Sequence, residues 1–599
     1  MRRRKEQEWQ ELVLEFVDRQ WKWLVLAVWL AFCAWFLFSS WTEIHAFNLR
    51  DTDDNMRMMQ VRGLLGGQDW YDLRQHRLNF PIGANIHWSR LVDLPLAGLI
   101  LLFKPFVGGA EAERWAVAIA PLLPYLLVLF SLALTVRRLV DKRAYPLAFF
   151  ALFFAGSANG MFMPERIDHH GWQLALLAMC VAAIADPKKT RGGLLLGLGT
   201  ALSLAIGLEL LIYLAIAASV TVLSWIMDST EKERLRAYSA ALGGATTIAF
   251  LVFASNDNRY AVCDALSPVW LSDALLGGAL LFLLSMLSPG DWRKRLALAA
   301  AAGAAIAAFH GLMWPHCLQR LEGVSPEVER LWLSHVREAR PVYRHGWRIA
   351  AAVVALPITG ILGWALLAWW KRGNRELLRR ILGAALPGLV AALLLLWQTR
   401  TGPAAQMLAT IGAAALLWLL VPKAWGSARP AVRVLGTSLL VLVGGGAALP
   451  FAMTFIPPET VNANGLAIRR ANVLCNSLWG YRPVAREPKG VVFTFIDLGP
   501  RLITVTKHDS IGGPYHRNGE QIADIMNAFR GSADQAHRLI AKYHSDYLLV
   551  CPNSSTTTIF RAEAPKGFYA QLAAGKVPQW LAPVDLGKDS PFRMWRVVG

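Results

Sequence analysis

Long apolar runs, broken by short basic knots, set the pattern of this chain. A membrane-crossing helix needs about 20 mostly apolar residues. Such runs recur near 21–41, 115–136, 144–162, 171–185, 192–207, 209–227, 237–255, 271–288, 296–313, 347–370, 381–398, 404–421 and 433–455. They predict about 13 transmembrane helices. The two runs at 192–227 are one apolar stretch interrupted by Glu209, which reads as the junction between two spans. Leu91–Val107 is also apolar but lies inside a long polar loop, 42–114, and reads as an interfacial or re-entrant helix.

The pattern changes after residue 455. Gly490–Ile496, Arg501–Thr506 and Tyr547–Val550 read as strands, whereas Gln521–Phe529 and Ala533–Tyr543 have helical periodicity. The expected fold is a polytopic α-helical membrane protein with a C-terminal α/β domain. Residues 1–455 form the transmembrane part, with its long first loop at 42–114, and residues 456–599 form the α/β domain.

Charge orients this arrangement. The N-terminus opens with Arg2, Arg3, Arg4 and Lys5 ahead of the first run, which is long enough to be retained as a span. With that end cytoplasmic, every inside loop carries a basic cluster, from Arg137–Arg143 through Lys371–Arg380 to Lys423–Arg433. That is the distribution the positive-inside rule requires. An odd number of spans then puts the tail outside, in the periplasm of a bacterial inner (plasma) membrane. The cysteines agree: Cys33 and Cys180 fall in spans, while Cys263, Cys317, Cys475 and Cys551 fall in outside segments, where disulfides form. Cys263 with Cys317 and Cys475 with Cys551 are plausible pairs. The composition, 55% hydrophobic and 17% charged, excludes an ordinary soluble protein. The net charge of +19 is accounted for by cytoplasmic loops, so nucleic acid is not an expected partner.

Candidate chemistry gathers in the outer loops. Asp51-Thr-Asp-Asp-Asn-Met-Arg57 follows the first span, and its three carboxylates, Asp51, Asp53 and Asp54, repel one another. Such a cluster ionises most easily beside a cation, and hard oxygen ligands suit Mg²⁺ or Mn²⁺. It also reads as a solvated acidic turn paired with Arg50, Arg57 and Arg62. Pro164-Glu-Arg-Ile-Asp-His-His-Gly171 brings Asp168, His169 and His170 to the same outer face, as further ligands or as a capping Asp with surface histidines. Glu338 lies amid Arg337 and Arg340 in the long loop before the tenth span. Arg400 stands at the outer end of the eleventh, where a guanidinium suits a lipid phosphate. Glu209, an ionisable group within an apolar run, is a functional candidate by default.

Taken together, these features resemble the catalytic subunit of oligosaccharyltransferases, within the GT-C class of polyprenyl-phosphate-sugar-dependent glycosyltransferases. That family's first outer loop has a pattern close to Asp-Pro-Tyr-Tyr-His-Met-Arg, matched here at Asp51, Met56 and Arg57. Its Asp-x-Glu metal motif is similar to Asp168-His-His170, with His170 in place of Glu. Its Thr-Ile-x-Glu-like motif resembles Ser334-His-Val-Arg-Glu338. Arg400 resembles an arginine that contacts the donor's phosphates. The family's Trp-Trp-Asp acceptor motif is absent, with only Leu478-Trp-Gly-Tyr481 in its region. The outer domain instead carries Lys507-His-Asp-Ser-Ile-Gly-Gly-Pro-Tyr-His-Arg-Asn518. Its turn either presents His508, His516 and Arg517 to an anionic ligand or links a strand to a helix capped near Asn518.

The resemblance implies a glycosyltransferase moving a sugar or oligosaccharide from a polyprenyl-phosphate-linked donor in the membrane lipid to a periplasmic glycan, lipid or protein. A divalent cation, Mn or Mg, would sit on Asp51, Asp168 and His170. Arg400 and Arg57 would bind donor phosphate. Asp51, with Asp54 second, would accept the acceptor's proton, and Glu338 would complete the catalytic set. Glu209, His169, His508, His516 and Arg517 are possible donor or acceptor contacts. A transporter or flippase of a lipid-linked glycan is the alternative. It predicts paired charges deep in several spans, whereas the polar residues here concentrate in outer loops. A scaffold binding cell-wall glycan would not need two acidic clusters on one face.

Overall fold

The computed structural model describes residues 2–319, 322–457 and 461–598. Every apolar run expected to span is helical. Among the described residues, eight helices are long and apolar enough to cross a membrane. Two bent pairs, Tyr145–Phe153 with Gly156–Phe162 and Val432–Gly444 with Ala448–Thr454, raise this to ten if each is one span. The other runs form His170–Ile184, Lys189–Ile206 and Leu211–Met227. The last two separate at Gly207–Leu210, so Glu209 does occupy a break between helices. Leu91–Val107 lies within one helix, Arg90–Val107, that begins on a Ser89 cap and contains Pro95 and Pro105.

Bundle depth varies along the chain. The Thr399–Trp425 span is 83% buried and forms the centre, whereas Trp292–Met313 is 6% buried and lies at the edge. Without a hydrophobic drive between helices in lipid, small residues must let the backbones approach. The pair Trp347–Trp370 and Gly402–Trp425 does this at Gly360, Gly363 and Gly412. A Cβ on Gly363 would come within 1.8 Å of the Gly412 carbonyl oxygen.

The tail builds a five-stranded sheet in the order β2-β1-β3-β5-β4. The strands are β1 (Val491–Phe493), β2 (Asp509–Ser510), β3 (Tyr547–Val550), β4 (Leu581–Val584) and β5 (Arg593–Val597). β1 is parallel to β2 and β3; β5 is antiparallel to β3 and β4. The strand expected at Arg501–Thr506 is instead the helix Gly499–Val505, with Pro500 in its first turn. Its residues Gly499 to Thr504 are all buried, because the helix is wedged between two layers. Leu502 faces the domain core, and Ile503 joins Met56 and Met59 of the first loop. An apolar segment buried on both sides loses the periodicity that separates strand from helix.

This wedge docks the outer domain on the long loop. Arg77 donates to the carbonyls of Ile503 at 2.8 Å, Thr506 at 3.0 Å and His508 at 2.5 Å, and pairs with Asp509 at 3.0 Å. Arg62 donates to the Thr504 carbonyl at 2.6 Å. The loop before the tenth span contributes Val328 and Leu331 to the outer core. Both disulfides form, Cys263–Cys317 and Cys475–Cys551, with Cα separations of 5.3 and 6.3 Å.

Gly363→Leu places side-chain atoms where a backbone carbonyl stands. The expected cost is about 3 kcal/mol, read as a lower melting temperature of the detergent-purified protein. Gly373→Leu, which meets no atom within 4 Å, should leave that temperature unchanged.

Candidate active site

The helix Thr52–Leu65 starts on Asp51, and its acidic sequence explains the start. Asp51 accepts from the backbone N–H of Asp53 at 2.9 Å and Asp54 at 3.1 Å, and Asp54 accepts from the Asp51 N–H at 3.1 Å. This reciprocal cap satisfies amide donors that a helix start leaves open and sets negative charge at the positive end of the dipole. The Asp168 N–H also donates to Asp54, at 3.0 Å. Two acidic clusters 114 residues apart therefore meet.

Ligand oxygens of Asp51, Asp54 and Asp168 lie within 4.8 Å of one another. Between them sits Arg166, which pairs with Asp51, with Asp168 at 2.8 Å and with Asp54 at 3.5 Å. Burial pushes the Asp168 carboxyl up, but Arg166 and the neighbouring imidazoles outweigh it and hold the group at about 2. Burial, then the charges of Asp168 and Asp53, pushes Asp54 well above the usual carboxylate range. The Asp53 side chain makes no ion pair among the described residues. Burial, then the charges of Asp168 and Glu338, raises it to about 8. In the sequence Asp53 stands out only as one of three clustered carboxylates, not as a catalytic group.

Glu338 lies on the exposed turn Arg337–Ala339. That turn packs on Thr399–Thr401, where the Thr399 N–H donates to the Arg340 carbonyl at 2.8 Å. Glu338 and Arg400 therefore occupy adjacent turns, and the charge of Glu338 reaches Asp53. The Arg400 guanidinium bonds Gln398 at 2.5 Å and stands 4.0 Å from Glu322. Glu209 accepts from His169 at 2.8 Å and Gln173 at 2.6 Å, while the His169 ring lies 4.4 Å from His170 and 5.6 Å from Trp88.

Other expected contacts are placed elsewhere. His170 is not among the three residues whose ligand oxygens converge, which are Asp51, Asp54 and Asp168. Arg57 is fully buried beneath the site, paired with Asp93 at 2.7 Å and stacked 4.4 Å over Trp88, so it does not face a phosphate at the surface. His508 is buried and donates to the Val484 carbonyl at 2.9 Å. His516 and Arg517 pair with Asp264, each at 2.6 Å. Asn518 precedes the helix Gly519–Arg530 but makes no side-chain cap; it bonds Asn85 instead. Arg166 was not singled out, although it stands two residues before Asp168 in the quoted motif. Cys263, His316 and Cys317 also converge, but their sulfurs are joined and offer no thiolate ligand.

No family model and no curated protein sequence matches this chain. Solved structures do match in fold. The archaeal oligosaccharyltransferase AglB from Archaeoglobus fulgidus, determined with an inhibitory peptide and a dolichol-phosphate, aligns with a TM-score of 0.66 at 15% identity. That alignment covers 94% of this chain and 73% of the archaeal one. The Archaeoglobus fulgidus enzyme tethered to an acceptor peptide with the NVT sequon aligns at 0.63 and 13% identity, over 95% and 74% of the two chains. A complex of that enzyme with Zn and sulfate gives 0.60 and 13%, over 93% and 71%. The fold is thus similar to that of the Archaeoglobus fulgidus oligosaccharyltransferase.

A raised carboxyl stabilises the folded state fully below the unfolded carboxyl range, and that stability is lost as pH rises towards the folded value. Asp53 therefore makes the folded protein lose stability between about pH 4 and its own folded value of about 8. Asp53→Asn should flatten the fall in melting temperature across that window, measured from pH 5 to 8.

Proposed function

We propose that the protein is a membrane glycosyltransferase that moves a sugar or oligosaccharide from a polyprenyl-phosphate-linked donor to a periplasmic acceptor. The reading rests on one observation above the rest: Asp51, Asp54 and Asp168 converge on Arg166 at one end of a GT-C-type bundle. The similar archaeal enzyme was solved with a dolichol-phosphate, a lipid phosphate whose negative charge such a cationic centre would attract. An apolar cleft lined by Val92, Pro95, Leu96, Pro124 and Trp172 also includes Arg166 and Asp168 in its lining.

The transfer requires the acceptor's nucleophilic atom to attack the anomeric carbon. The sugar–phosphate C–O bond breaks, the lipid phosphate leaves with the electron pair, and the acceptor's proton passes to a base. Charge must therefore be neutralised at the leaving oxygen. Arg166 and Arg400 are the guanidinium groups suited to this. Asp51, Asp54 and Asp168 present three hard oxygen donors, a set that fits Mg²⁺ or Mn²⁺. These three would hold the ion, which would supply further positive charge beside the phosphate.

Asp53 is the group we assign as proton acceptor, in place of Asp51 or Asp54. Asp51 and Asp54 are engaged by the helix cap and by Arg166, whereas no ion pair engages Asp53 among the described residues. Its value of about 8 is near a working pH, where general bases act best. Glu338, whose charge acts on Asp53, would position the acceptor. The bacterial inner membrane, with the N-terminus cytoplasmic and the outer domain periplasmic, is the setting these charges suit.

The test is transfer of radiolabelled sugar from polyprenyl-phosphate donors to a panel of glycan, lipid and peptide acceptors by purified protein. Asp53→Asn, Asp51→Asn and Asp168→Asn should each lower turnover by about 100-fold or more. Full turnover in all three variants would overturn the assignment. EDTA should abolish transfer and Mn²⁺ restore it; transfer that persists in EDTA removes the ion and leaves Arg166 as the cation.

A further inference from the structure

Three segments far apart in sequence bring two imidazoles and a carboxylate together on the seam between the long first loop and the outer domain. His87 comes from the loop, Asp264 from the turn before the helix Pro268–Leu287, and His516 from the outer domain. One ligand atom of each lies within 4.8 Å of the others. His516 bonds Asp264 at 2.6 Å, and the His87 and His516 rings are 4.6 Å apart. The His87 ring makes no hydrogen bond among the described residues. Burial, then the neighbouring charge of His516, holds it well below the usual imidazole range.

We infer that His87, Asp264 and His516 form a second metal site, for a zinc-class transition ion, which staples the outer domain to the membrane domain. Neutral imidazole and carboxylate are ligands for such an ion, and two histidines with one carboxylate leave a position for water. The surroundings are organised as a metal site requires. Arg517 donates to both oxygens of Asp264, at 2.6 and 2.7 Å, which fixes the orientation of the carboxylate. Outer partners of this kind orient ligands and tune affinity. The Cys263–Cys317 disulfide anchors the residue beside Asp264. Asn85 and Asn518 exchange hydrogen bonds of 3.0 and 3.1 Å, which fix the spacing of the loop and the domain near the two histidines.

The ligand set differs from the carboxylate triad in kind. Three carboxylates suit Mg²⁺ or Mn²⁺, whereas imidazole favours zinc and its neighbours. The seam site is also close to the chemistry without entering it. Trp88, next to His87, packs on His169 at 5.6 Å, and Tyr515, next to His516, donates to the Thr52 carbonyl at 2.9 Å.

The experiment uses the full-length protein, stripped with a chelator and titrated with ZnCl₂ in excess Mg²⁺, with bound zinc measured by elemental analysis. The parent and Asp168→Asn should each retain a single equivalent, and His87→Gln and His516→Gln should lose it. Arg517→Gln should bind about 10- to 100-fold more weakly. Co²⁺ added to the stripped parent should give visible d–d absorption that zinc displaces, a readout that needs no variant. A stripped parent that takes up neither ion, or a His87→Gln protein binding zinc as the parent does, would overturn the site. Neither result bears on sugar transfer, which the Asp53 and Asp168 variants test separately.

Discussion

Three carboxylates cannot share a small buried space without a positive partner, because like charges at a few ångströms raise one another's cost of ionisation. Arg166 is that partner, and the geometry of the candidate active site follows from it. By pairing with Asp51, Asp54 and Asp168 at once, it ties the start of Thr52–Leu65 to the loop ahead of His170–Ile184. It also leaves Asp53, one position away, outside the ion-pair network. One guanidinium thus divides a cluster of similar carboxylates into a charged triad and a single group poised near neutral pH.

The outer domain follows from the same helix. The short helix Gly499–Val505 packs against Thr52–Leu65, and the Thr504 hydroxyl donates to the Asn55 carbonyl at 3.2 Å. Arg501 approaches Asn55 from the same side, at 3.3 Å. Arg62 and Arg77 satisfy the carbonyls that the short helix leaves free at its end. These directional bonds place the domain directly against the helix that carries Asp51 and Asp54. His516 and Arg517, expected to face a ligand, instead pair with Asp264 across the seam, and His508 is buried within the domain on the Val484 carbonyl.

Much of this was legible in the residues. Twenty-residue apolar runs and basic loops marked the helices, since hydrocarbon thickness and the cost of moving charge act on local sequence. The break at Glu209 was visible for the same reason. Asp51, Asp168 and Glu338 could be singled out because carboxylates in outer loops stand out against apolar surroundings. Arg501–Thr506 was read as a strand because a segment buried on both sides carries no periodicity, and only its two neighbours show it to be a helix. Arg57 looked like a phosphate ligand from its place in a motif, but Asp93, 36 residues on, claims it.

The sequence by itself thus determined the membrane-spanning architecture, the clustering of acidic residues in loops between apolar runs and the presence of an α/β tail, because these depend on composition within a window of twenty or so residues. Tertiary structure alone decided which charges meet. Arg166 beside three carboxylates, Asp54 rather than His170 in the triad, Asp53 left unpaired and His87 facing His516 are all contacts between distant segments. Their electrostatics depend on separations of a few ångströms and on burial, and neither is written in local sequence.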